Sequence, residues 1–110
     1  MACPYFYPIS KAEGVTQPAR APLGALYDGR CEMGGAAGGD ACNFGYAAGR
    51  CESFPREGSA DAVRFSVLEG RTVFVLEKNC SPVRHGDAAA LPGGALGRQA
   101  EVFGMWVNSR

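Results

Sequence analysis

Polar and apolar positions alternate most regularly in the second half of the chain. In "AVRFSVLEGRTVFVLEK", residues 62–78, Val63, Phe65 and Val67 alternate with Arg64 and Ser66. Glu69-Gly70 interrupts, and Thr72–Leu76 follows as a β-branched and aromatic run. Two strand-period runs around a glycine turn predict a β-hairpin. The second run is apolar at successive positions, as a strand covered on both faces is, so it is expected at the centre of a sheet. Another strand is expected within "LGALYDGRCEM", residues 23–33, whereas "GDAAALPGG", residues 86–94, reads as loop. From Gly94 the period changes. Leu96, Ala100, Phe103 and Val107 recur at helical spacing with Trp106 nearby, which predicts a short C-terminal helix packed on the sheet. These elements define a small α+β protein, with residues 1–110 as a single domain.

Composition divides that domain into unlike halves. Residues 1–60 hold ten of the 16 glycines and five of the 7 prolines, with 13 large apolar side chains against 16 in the 50 residues that follow. Ordering a backbone costs roughly 1–2 kcal/mol per residue, and most for glycine. A Gly/Pro-rich segment with few large side chains is therefore expected to need a disulfide framework or a bound metal. Residues 61–110, the β-hairpin plus the C-terminal helix, are expected to supply the core behind it.

Charge narrows the partners. Eleven basic and eleven acidic residues cancel, and each half is near neutral. No basic stripe tracks a phosphate backbone, so nucleic acid is not expected as the main partner. No apolar run approaches a membrane span, and "MACPYFYPIS" has neither the basic nor the apolar region of a secretory signal. The expected compartment is the cytoplasm.

There, thiols stay reduced, and five cysteines in 110 residues point to metal binding or catalysis rather than disulfides. Cys3, Cys31, Cys42, Cys51 and Cys80 are separated by 27, 10, 8 and 28 residues. Zinc sites usually use close C-x₂₋₄-C pairs, which are missing here. A bulky [4Fe–4S] cluster can be gripped from separate loops, which suits four scattered cysteines on Gly-rich segments. Pro4 after Cys3 fixes the local turn. Tyr5, Phe6, Tyr7, Phe44, Tyr46 and Phe54 lie within four residues of Cys3, Cys42 or Cys51, as core or as shields against water.

"GRCE" occurs twice, around Cys31 and Cys51. The two copies read as similar ligand loops, in which glycine permits the turn and cysteine points inward. Arg30 and Arg50 are then placed to offset thiolate charge, and Glu32 and Glu52 to orient the arginines or face water. The expected ligands are Cys3, Cys31, Cys42 and Cys51, all in the core-poor half. Cys80 leaves a strand, where a buried inert thiol is ordinary, and is the runner-up ligand.

Two other constellations are set aside. "GGAAGGD", residues 34–40, lacks the Lys-Ser/Thr of a phosphate loop and reads as a flexible loop. Cys80 and His85 would make a thiol enzyme only with an orienting residue and a pocket, so no enzyme is expected. His85 reads as a solvent-facing loop residue.

By the pattern of Cys3, Cys31, Cys42 and Cys51 with their glycine neighbours, about half the chain resembles the small four-cysteine iron–sulfur proteins as a class. It departs from the ferredoxins, which carry C-x₂-C-x₂-C, so ferredoxin function does not carry over. The resemblance implies one [4Fe–4S] cluster, with electron transfer or redox sensing toward a redox protein or enzyme partner. The alternative is a zinc-stabilised interaction module without redox activity.

Overall fold

A computed structural model of the protein describes residues 1–13, 21–32, 40–44 and 60–109. In chain order these form strand β1 (Phe6–Lys11), strand β2 (Tyr27–Cys31), the short helix α1 (Asp40–Phe44), and strands β3 (Ala62–Leu68), β4 (Arg71–Lys78) and β5 (Ser81–Asp87). A 3₁₀ turn at Ala88–Ala90 and helix α2 (Ala95–Asn108) complete the described chain. Residues 34–39, the second "GRCE" and Cys51 lie outside the described residues, as do Tyr46 and Phe54.

The predicted hairpin is β3–β4. Its register pairs Phe65 with Phe74 and Val63 with Leu76, so these four apolar side chains share one face. Glu69 and Gly70 close it with φ of 53° and 78°, the positive pair a type I′ turn requires. As its two-faced apolar pattern predicts, β4 is central, in the order β3-β4-β5.

Strand β5 corrects the reading of residues 86 and 87 as loop. "SPVRHGD" carries proline, glycine and no alternation, yet it pairs with β4 from Lys78↔Ser81 to Val73↔Asp87. Its shape follows Phe74. Gly86 lies under that ring, where a Cβ would stand 3.3 Å from Cε1, and the Arg84 guanidinium sits 5.6 Å from the ring centre. A register shift opposite Leu76 and Glu77 leaves Val83 as the extra residue, 53% exposed. Proline and a bulge together protect this edge from pairing with other chains.

Strands β1 and β2 form a second antiparallel sheet. It is tied to the first where Ala2 and Val63 exchange backbone hydrogen bonds of 2.8 and 2.9 Å. The core lies between these sheets and α2, and the described part of the first half contributes to it. Ala2, Cys3, Phe6, Leu23, Ala25, Tyr27 and Ala60 are buried in the same cluster as Val63, Phe65, Phe74 and Leu76. Counting large side chains overlooked the alanines, which let backbones approach closely.

Helix α2 buries Ala95, Gln99, Val102 and Phe103. Of the predicted stripe, Phe103 is buried, and Leu96, Ala100 and Val107 are partly buried and flank this line. The Phe103 ring lies 5.7 Å from Phe65 and 5.6 Å from Trp106, centre to centre, which anchors the helix on the larger sheet. Among the described residues, no helix is long and apolar enough to cross a membrane.

Candidate functional site

The N-terminal cysteine sits in a turn that the sequence builds locally. The Cys3 carbonyl accepts a hydrogen bond from Phe6 N–H at 3.1 Å, with Pro4 at the second position of the turn. Proline fits there because its φ is preset and that N–H is not needed. The Cys3 N–H donates to the Cys42 carbonyl at 2.9 Å, so two cysteines far apart in sequence become backbone neighbours.

Cys42 is carried by α1, and Asn43 docks that short helix. Asn43 Oδ1 accepts from Tyr27 N–H and its Nδ2 donates to the Tyr27 carbonyl, both at 3.0 Å. The buried amide thus takes the place of a strand residue beside the start of β2. At the other end of β2, Cys31 pairs with Phe6, the last residue of the Cys3 turn. Cys3 and Cys42 are therefore backbone neighbours, while Cys31 lies across the β1–β2 ribbon from Phe6.

The first "GRCE" is explained residue by residue. Gly29 lets the strands close: a Cβ there would stand 2.9 Å from Pro8 Cα and nearer still to the Tyr7 carbonyl oxygen. Arg30 lies over the Tyr7 ring at 4.5 Å, a cation–π contact in place of the predicted charge balance for thiolates. Glu32 donates its N–H to the Tyr5 carbonyl at 2.9 Å, and its carboxylate lies against Gly94. Helix α2 has no side-chain N-cap of its own, so this carboxylate faces the positive end of the helix.

Among the described cysteines, Cys31, Cys42 and Cys80 are free thiols. Cys3 is buried at 3% exposure, and Cys31 and Cys42 are half-buried. Cys80 is exposed, which corrects its reading as a buried thiol. Asn79 and Cys80 are the two turn residues between β4 and β5, with φ of 52° and 65°, so the side chain projects from a hairpin tip. His85 stands exposed on β5 opposite Val75, in a strand rather than the expected loop.

Burial raises the Tyr5 phenol above its ordinary pKa, and the neighbouring Cys3 adds to that shift. A phenol and a thiol thus lie in the same turn, residues 3–6. Burial likewise raises Tyr27, with Arg98 acting in the opposite direction.

Of the four predicted ligands, Cys3 and Cys42 are thus backbone neighbours, Cys31 lies opposite Phe6, and Cys51 lies outside the described residues. Among the described residues, no three His, Cys, Asp or Glu side chains gather into a group that could hold a metal ion. Reasoning from the sequence missed the two amides that hold the cysteine segments, Asn43 and Gln99. The one signal for Gln99 is a polar residue on the apolar side of a helix. Beside this corner an open groove of about 330 Å³ runs between Tyr7 and residues 91–94, with Arg98 and Glu101 along it. Arg98 is engaged there, donating to the Pro8 and Ile9 carbonyls at 2.8 and 2.9 Å and pairing with Glu101.

Comparison with protein-family models, with curated proteins and with solved structures finds no match to this chain.

Proposed function

We propose that the chain is a small iron–sulfur protein that binds one [4Fe–4S] cluster through Cys3, Cys31, Cys42 and Cys51. In this reading it carries single electrons to, or senses redox state for, a protein partner in a reducing cytoplasm. One observation carries the reading. The 2.9 Å bond from Cys3 N–H to the Cys42 carbonyl supports it by making two of the proposed ligands backbone neighbours.

The donor set is soft thiolate, which suits an iron–sulfur cluster or zinc. A bound cluster supplies a one-electron couple, and the chain's own residues set the conditions around it. The buried Cys3 turn keeps water from one side, while half-buried Cys31 and Cys42 leave another side near the surface for electron exchange. Four cysteine ligands leave no open position for a substrate, which favours electron transfer over catalysis.

Cysteine replacement tests the assignment. In material prepared without oxygen, Cys31→Ala and Cys42→Ala should each bleach the broad visible absorption, whereas Cys80→Ala should leave it intact. A spectrum that survives loss of Cys31 and Cys42 would exclude this ligand set. A colourless protein with stoichiometric zinc would identify the corner as the zinc-stabilised module instead.

A further inference from the structure

The three-stranded sheet ends in two unlike edges. On β5, Pro82 and the bulge at Val83 break the line of backbone groups that a further strand would need. On β3 nothing of that kind interrupts the ladder. Its pairing with β4 runs from Ala62↔Glu77 to Leu68↔Arg71 without a register shift, and the strand holds neither proline nor glycine.

One contact fixes the direction of the backbone groups on β3. Val63 exchanges two hydrogen bonds with Ala2, so its N–H and C=O point away from β4. Directions alternate along a strand, so those of Phe65 and Val67 point the same way. Among the described residues, none bonds to them. The free edge therefore offers two donors and two acceptors, spaced by Ser66. It opens at the hairpin end, where Val67 is 46% and Leu68 58% exposed. Arg64, the one charged residue of β3, is drawn back toward β4 by Glu77 at 3.2 Å, so it does not guard the edge.

The bridge from Ala2 to Val63 shows this edge accepting an antiparallel partner. We propose that a second copy of the chain occupies the rest of it, joining two three-stranded sheets into one through antiparallel β3 strands. The edge is complementary to itself. A two-fold axis at Ser66 sets Phe65 opposite Val67 of the second copy. Both donors and both acceptors of each copy are then used, in four hydrogen bonds. Ser66 meets its counterpart at a non-hydrogen-bonded position, where side chains stand closest, and serine is small enough to fit. On either side of the axis Phe65 and Val67 make an aromatic–β-branched pair, a favourable combination. Arg64 faces Leu68 of the second copy, so no like charges meet. The length fits as well. Each β3 turns away at its own Glu69-Gly70 before reaching Val63 of the other copy. The Ala2 bridge is kept, and only Met1, exposed ahead of it, has to turn aside.

Four strand hydrogen bonds and a few side chains make a small contact, so the dimer is expected to be weak and sensitive to dilution. Sedimentation equilibrium of the full chain reads it, from micromolar to millimolar concentration, with reductant present to exclude a disulfide through Cys80. Val67→Pro removes a donor that faces the free edge and none that β4 uses. Ser66→Lys sets two ammonium groups side by side at the axis. Each change acts twice across the two-fold, so each should weaken the dimer at least about tenfold. Amide exchange at Phe65 and Val67 should slow as the parent is concentrated. Should Val67→Pro fail to fold, Ser66→Lys carries the comparison, since Ser66 is exposed.

A parent that stays monomeric up to millimolar concentration would overturn the proposal. So would a dimer whose strength Ser66→Lys leaves unchanged, because such a dimer forms through another surface.

Discussion

Gly24 is the position where one added carbon should do most damage. It closes a turn in which its N–H donates to the Ala21 carbonyl at 2.9 Å, and its φ is +88°. An L-residue in the left-handed region loses roughly 1–2 kcal/mol. The Cβ of alanine would also stand 2.5 Å from Trp106 Cδ2 and 2.6 Å from Trp106 Cβ, well inside contact distance. The indole cannot retreat freely because it packs against Phe103. Overpacking of this kind costs roughly 1–3 kcal/mol. Gly24→Ala should therefore lose about 2–5 kcal/mol, a large part of the stability of a small domain. Urea unfolding followed by far-UV circular dichroism measures the loss, and emission from Trp106, the one tryptophan, reports the local repacking. Combining Gly24→Ala with Trp106→Ala removes the overlap with the indole ring but keeps the 2.6 Å approach of Cβ, so it should recover part of the clash component while leaving the backbone component. A Gly24→Ala protein within about 0.5 kcal/mol of the parent would refute the placement of α2 against this turn.

Three further outcomes follow from the same geometry. Cys80→Gly should stabilise the protein by about 0.5–1 kcal/mol in urea unfolding, since glycine accepts the φ of 65° more readily, while Cys80→Val should destabilise it. Asn43→Leu should cost on the order of 2–4 kcal/mol, because Tyr27 N–H and C=O lose their buried partners, and amide exchange at Tyr27 should accelerate. Burial raises the folded-state pKa of Tyr27, so its stabilising effect is complete below its ordinary value of 10.0 and is lost as pH climbs through the folded value; Tyr27→Phe should flatten the alkaline fall in stability.

Much of the larger sheet was legible because β3 and β4 make their own pattern: alternation on one strand, continuous apolar residues on the other, and a glycine turn between them. Helix α2 was legible from its period. Strand β5 was hidden because nothing in "SPVRHGD" favours a strand by itself; the central β4 recruits it, and Gly86 and Arg84 fit it around Phe74. Strand β1 was hidden by Pro8, which is tolerated opposite Gly29 beside a register shift and turns its carbonyl to Arg98. At the site, cysteine spacing singled out Cys3, Cys31 and Cys42 but could not show that Cys3 and Cys42 become backbone neighbours. Their placement involves long-range bonds from Asn43 and Gln99, side chains with no local motif. The exposure of Cys80 was misread for a related reason. A strand end was assumed to continue into packed chain, whereas Asn79-Cys80 is a two-residue reversal.

The most direct measurement is iron, acid-labile sulfide and zinc per chain in protein purified without oxygen. The proposed Cys₄ site predicts about four irons and four sulfides per chain, with a brown colour that depends on Cys3, Cys31 and Cys42. Stoichiometric zinc without sulfide, or full occupancy of folded protein by no metal at all, would contradict it.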